Sequence, residues 1–101
     1  MRHNKVIYLP ITTIEEDEFE NEVEVISDWR RVYANKYSIN SSEFYNAAKE
    51  GLRPELAFRI YDFEYDGEDK FKYNGDEYNI IRTQGSGEKM ILVGEKVTAD
   101  V

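Results

Sequence analysis

Carboxylates are the side chains of this sequence best placed to do chemistry. Asp62, Glu64, Asp66, Glu68 and Asp69 crowd around Asp66-Gly67, and alternate oxygens in a tight loop can converge on a calcium ion. The run lacks the terminal bidentate Glu of an EF-hand loop and no helical pattern flanks it, so the alternative is a solvated acidic connection. A carboxylate pair for glycoside hydrolysis needs a cleft larger than a barrel of 101 residues usually offers. Gly85-Ser86-Gly87 has the composition of a phosphate cradle, but it stands between two strand-like segments rather than ahead of a helix. It reads as a hairpin loop. His3, the single histidine, lies close to the N-terminus, and there is no cysteine. Neither a His-based triad nor a thiolate nucleophile nor a Cys/His metal pattern has a candidate. The expectation is a protein that is not an enzyme and carries no metal and no cofactor.

Such residues must be held by something, and the strongest local signals are β. Phe71-Lys72-Tyr73, Asn74-Gly75 and Asp76-Glu77-Tyr78-Asn79-Ile80 spell a hairpin, because Asn-Gly tolerates the positive φ that both positions of a type I′ turn need. Counting outward pairs Tyr73 with Asp76, Lys72 with Glu77 and Phe71 with Tyr78. One face then holds Phe71, Tyr73, Tyr78 and Ile80, and the other an opposed Lys72–Glu77 pair. Asn74 and Gly75 are structural turn residues on this reading. Leu56, Phe58 and Ile60 alternate with Ala57, Arg59 and Tyr61, the period of a half-buried strand. Met90-Ile91-Leu92-Val93 is apolar on both faces, which predicts a covered, central last strand over 90–97.

Val6 to Ile14 predicts a first strand, which Pro10 confines to an edge or a bulge. Glu15, Glu16, Asp17, Glu18, Glu20, Glu22 and Glu24 follow at a density that repels, so residues 15–21 are expected as an exposed loop. That loop is either a solvated surface or a charged face turned towards a partner or a polyanion. Strand-like sequence resumes from Val23 to Ile39, with its two faces poorly separated. Trp29, Tyr33, Tyr37 and Tyr45 are candidates for the core or for an oligomer interface. The one helical signal runs from Asn40, an N-cap with Glu43 three residues on, through Phe44, Ala47 and Ala48 to Gly51. So short a helix is not stable alone and depends on packing. Arg53-Pro54 then forces an extended entry to the next strand.

Composition sets outer bounds. The chain is one domain, mainly β; its element order suggests a small barrel or sandwich, and a barrel of about six strands with one short inserted helix is the expectation. Its net charge of −8 opposes tight binding to phosphate backbones and to anionic membranes. The apolar run Val6–Ile11 is too short for a signal peptide and far too short to span a bilayer, so no targeting segment is expected.

Taken in order, these segments resemble the phage head–tail joining family, the head-completion or stopper proteins of long-tailed phages and prophages. The likeness runs from Val6-Ile7-Tyr8 to about Lys96. It rests on four landmarks: a first strand leading through an acidic loop to Trp29-Arg30-Arg31-Val32-Tyr33-Ala34, then Ser42-Glu43-Phe44-Tyr45-Asn46-Ala47-Ala48, then Phe58-Arg59-Ile60-Tyr61, then the Phe71–Ile80 hairpin. The acidic loop departs from the family pattern, where many relatives carry glycine.

The resemblance implies a structural virion protein of the connector. It would form a ring, commonly of twelve copies, on an adaptor ring beneath the portal; the net charge of −8 separately predicts a free monomer, since identical subunits repel until a template compensates them. It would close the channel after packaging, let double-stranded DNA pass without sequence-specific binding, and dock a tail-joining or tail terminator protein. Its place would be the virion neck, reached from the host cytoplasm during assembly. A channel-closing segment is implied over 38–55, carrying Ser38, Asn40, Ser42, Glu43, Phe44, Tyr45, Lys49, Arg53 and Glu55. The acidic residues Glu15, Glu16, Asp17, Glu18, Glu20 and Glu22 would then face a partner or the channel. Two rival readings stay open: an acidic inhibitor that mimics DNA, and an OB-like barrel that stacks single strands on its aromatics, which the lack of a basic groove disfavours.

Overall fold

Asn74 and Gly75 both adopt positive φ, 53° and 83°, as the type I′ turn demands. The strands they join, β4 (Lys70–Tyr73) and β5 (Asp76–Ser86), pair in the register counted from the sequence: Tyr73 with Asp76, Lys72 with Glu77, Phe71 with Tyr78. A computed structural model describes residues 5–97 of the chain; His3 lies outside the described residues. The other strands are β1 (Lys5–Glu16), β2 (Glu22–Tyr37), β3 (Leu56–Tyr61) and β6 (Lys89–Lys96), with one helix, α1 (Ser41–Lys49), between β2 and β3. Every strand pairing is antiparallel. The order β1-β2-β3-β6-β5-β4 closes into a barrel where Tyr8 of β1 meets Lys72 of β4. The mainly-β barrel with one short helix is therefore the fold.

Alternation fills the barrel. Phe58 and Ile60 point inward with Ile7, Leu9, Val32, Phe71 and Leu92, all essentially inaccessible to solvent. Each such side chain contributes roughly 1.5–3 kcal/mol by leaving water. Phe71 stacks on Tyr78 with centroids 5.2 Å apart and meets the edge of Phe58 at 5.6 Å. Tyr73 and Ile80 pack against the same cluster, so the expected apolar face of the hairpin is the one that is buried. On the opposite side of β3 and β6, Ala57, Ile91 and Val93 form a second small cluster beneath Tyr37, Ile39 and Ile81. That outer cover explains why β6 is apolar on both faces.

Two expectations require correction. First, Glu15 and Glu16 belong to β1 and Glu22 to β2, where Glu16 lies directly opposite Glu22. The loop is only residues 17–21, closed by Asp17, whose Oδ1 accepts the Phe19 and Asn21 N–H groups, each at 2.9 Å. Solvent screens the carboxylate repulsion, while the β-branched Ile14, Val23 and Val25 favour continuing the ladder. Second, Gly85 and Ser86 remain in β5, and the turn is Gly87-Glu88 alone, with Ser86 opposite Lys89. Of the two places left open for Trp29, Tyr33, Tyr37 and Tyr45, the buried core is not the one they take; Tyr33 and Tyr45 are 56% and 64% exposed. On α1, Phe44 and Ala48 are exposed and Ala47 is partly covered. Pro10 conforms to expectation. It sits just before the bulge at Ile11/Thr12, beyond the point where β4 pairs with β1, so its missing N–H costs the ladder nothing on the open side.

Candidate functional site

The 38–55 segment is built well at its ends and held weakly at its side. Asn40 Oδ1 accepts the Glu43 N–H at 2.8 Å, and Ser42 Oγ donates to the same oxygen at 3.3 Å. At the other end the N–H groups of Gly51 and Leu52 donate to the carbonyls of Ala48 and Ala47, both at 3.0 Å. These are the two bonds of a Schellman motif. Glu43 in the first turn and Lys49 in the last suit the helix dipole. Lys49 Nζ also lies 4.8 Å from the Tyr45 ring centroid.

Yet no residue of α1 is buried. The helix meets the barrel through the pair Glu43–Arg82, 3.5 Å apart and with Arg82 largely exposed, a contact of small net value. Open clefts flank it. One of about 140 Å³ separates Asn46 and Ala47 from Ile81 and Val93; another of about 410 Å³ lies between Phe44 and the Tyr37, Ile39 and Pro54 side chains. The flanks are firmer. Ile39 packs on the outer cluster, the Arg53 N–H donates to Glu95 Oε1 at 3.2 Å, and the Glu55 N–H donates to the Gly94 carbonyl at 2.9 Å. Ser38 is exposed between these anchors.

The second surface is the β1–β2 arm. Beyond the bulge, Thr12–Glu16 and Glu22–Ile26 continue as a ribbon of two strands only. β4 reaches β1 only at Tyr8, and β3 reaches β2 only from Asn35 to Tyr37. Ile14 is 67% exposed and Phe19, at the tip, 76%. Eight carboxylates, seven in this stretch and Asp28 at its base, lie between Glu15 and Asp28 with no Lys or Arg among them. The other 13 acidic residues of the chain match its 13 Lys and Arg. The whole net charge of −8 thus sits on the arm. No cation pairs with an arm carboxylate among the described residues.

The acidic connection 62–69 is a strap across one end of the barrel. It begins as a single 3₁₀ turn, Asp62–Glu64. Arg30 pins it: Nη1 reaches Glu64 Oε2 at 2.6 Å, and Nη2 reaches Glu68 Oε2 at 3.3 Å and the Glu64 carbonyl. The Tyr65 hydroxyl donates to the Glu68 carbonyl at 2.8 Å. Burial first, and then the Glu68 and Asp69 charges, push the Tyr65 phenol above its ordinary pKa. Glu64 and Glu68 are engaged with Arg30, and among the described residues no three His, Cys, Asp or Glu side chains are placed to hold a metal ion. Sequence reasoning does not single out Arg30; its one signal is that it shares the inward parity of Val32 and Ala34.

The outer wall beside the strap is aromatic and cationic. Tyr61 stacks on Phe63 at 5.5 Å with Lys89 Nζ 3.4 Å from the Tyr61 ring. Arg31 lies over Tyr33 at 5.1 Å and Lys72 over Trp29 at 4.4 Å. No described helix is long and apolar enough to cross a membrane.

Comparison of the chain with protein-family models gives no match, and comparison with curated proteins gives none either.

Proposed function

We propose that the protein is a structural component of a phage head–tail connector, which binds an adaptor ring beneath the portal, closes the DNA channel after packaging and offers the tail its docking surface. The observation that carries this reading is the 38–55 crossover. A closed barrel supplies a rigid body, while α1 lies on its flank with capped ends, no buried side chain and clefts on both sides. Such an element has alternative packings at low cost and opens well below the global unfolding free energy. In a ring, of twelve copies by the family resemblance, released segments would meet across the lumen. There they would gain backbone pairing that a lone subunit lacks. Ring formation would await the adaptor, because the like-charged arms repel one another until a template compensates them.

The test locks the segment. The sequence has no cysteine, so Glu43→Cys with Arg82→Cys, joined by a reducible bis-maleimide, tethers α1 to the barrel wall. Filled heads lacking this protein should retain DNA when given wild type, lose it when given the tethered form, and retain it when the tether is reduced before the protein is added. Equal retention by the tethered protein would overturn the reading.

A second reading, an acidic inhibitor that mimics DNA, is favoured by the concentration of the entire net charge on one projecting ribbon. Duplex DNA competing with the protein for a nuclease or repressor would support it. A ring assembled on purified portal–adaptor complexes would support the connector.

A further inference from the structure

We infer that the β1–β2 arm is a strand-addition site for a basic, partly apolar segment of a different protein. The inference is independent of whether the 38–55 segment closes a channel. Backbone, side chains and charge each bear on it.

The backbone offers free edges. From Pro10 to Glu16 on β1, and from Glu22 to Ala34 on β2, each strand is paired only with the other. A two-stranded ribbon in water is marginally stable, and its outward N–H and C=O groups are a template for a further strand.

The side chains go beyond guarding those edges. Charges on a free edge are a common guard against aggregation, and the carboxylates alone would satisfy that need. They do not explain Ile14, Phe19 and Ile26, which stand exposed on the same ribbon. Apolar groups on an otherwise guarded edge fit anchors for a partner, with charge setting which partner is admitted.

Charge selects the occupant. Glu16 faces Glu22 across the ladder and no cation of the described residues pairs with either. Like charges directly opposite destabilise a pair, and a lysine- or arginine-bearing strand laid alongside would relieve the repulsion. A second copy brings no net positive charge to offset the repulsion. Its arm carries the same −8, and the rest of its chain is balanced at 13 acidic and 13 basic residues. The partner is therefore a distinct protein with a net basic strand or edge.

The experiment uses the full chain and a synthetic decapeptide of alternating Lys and Val, followed by amide cross-peaks and hydrogen exchange. The peptide should shift residues 11–28 and slow exchange of arm amides at least tenfold. The same peptide N-methylated at every backbone nitrogen keeps the charge and loses every backbone donor, and should bind at least tenfold more weakly. Ile14→Ser with Phe19→Ser, at exposed sites outside the barrel core, should weaken binding of the unmethylated peptide by a similar factor, with the free arm's cross-peaks showing that the ribbon still forms. An alternating Glu-Val peptide should not bind. Shifts centred outside the arm would overturn the inference, and so would equal binding of the methylated peptide or of the Glu-Val peptide. Undiminished binding by the Ser variant would reduce the arm to a charge patch and equally overturn it.

Discussion

Gly94 of β6 faces the Phe71 ring so closely that a β-carbon there would stand 2.5 Å from Cζ and 3.0 Å from Cβ of Tyr78. Any side chain at 94 must displace the Phe71–Tyr78 stack that fills the centre of the barrel. Gly94→Ala should destabilise the fold by about 1–3 kcal/mol, the usual cost of overpacking a closed core. Phe71→Leu will cost stability by itself, but the double variant should lose less than the two singles together. Denaturant midpoints of the four proteins measure the coupling, and strict additivity would refute the contact.

The Asn74-Gly75 turn should be structural only. Gly75 has open space around it but φ of 83°, so Gly75→Val is opposed by backbone strain and not by a clash, at about 1 kcal/mol or more. The melting temperature should fall while partner binding by the folded fraction is unchanged. A variant with normal melting and lost binding would contradict this.

Arg30 holds the strap by two carboxylates and a carbonyl. Its side chain is one third exposed, so solvent screening limits the contribution, and Arg30→Met should cost about 1 kcal/mol. Hydrogen exchange at Tyr65 and Asp66 should quicken more than in β6. Uniform quickening through the barrel would show that Arg30 supports the whole core instead.

Tyr65 and Tyr78 should govern alkaline stability. Burial is the main cause raising both phenols above 10.0; Glu68 and Asp69 add to it at Tyr65, and Asp76 does so at Tyr78 against an opposing Lys96. The folded state therefore holds these protons more tightly than the unfolded chain. Their contribution is complete below about pH 10, the unfolded value, and is lost as pH rises through the folded values. Tyr65→Phe with Tyr78→Phe should flatten the fall in melting temperature above about pH 10, and an unchanged slope would assign it to other groups.

Neutralising the arm should steady it. Glu16→Gln with Glu22→Gln removes a like-charged cross-strand pair, and exchange of arm amides should slow while barrel amides stay as they were. Faster exchange in the arm would mean that these carboxylates are held by favourable contacts.

Local chemistry alone makes several elements legible in the sequence. Asn74-Gly75 allows one turn geometry, and the turn imposes the register of β4 on β5 down to the facing of Phe71 and Tyr78. Asn40, Glu43 and Gly51 mark α1 at both ends because capping groups act within four residues. The double-sided apolarity of residues 90–93 announces a covered central strand. What depends on distant partners is decided only by the tertiary structure. Closure of β4 on β1, the seating of Gly94 under Phe71 and the grip of Arg30 on Glu64 and Glu68 join residues far apart in the chain. No periodicity records such contacts. The acidic stretch departs from expectation for the same reason: repulsion can be counted along the sequence, whereas the backbone pairing that outweighs it exists only once β1 and β2 lie side by side.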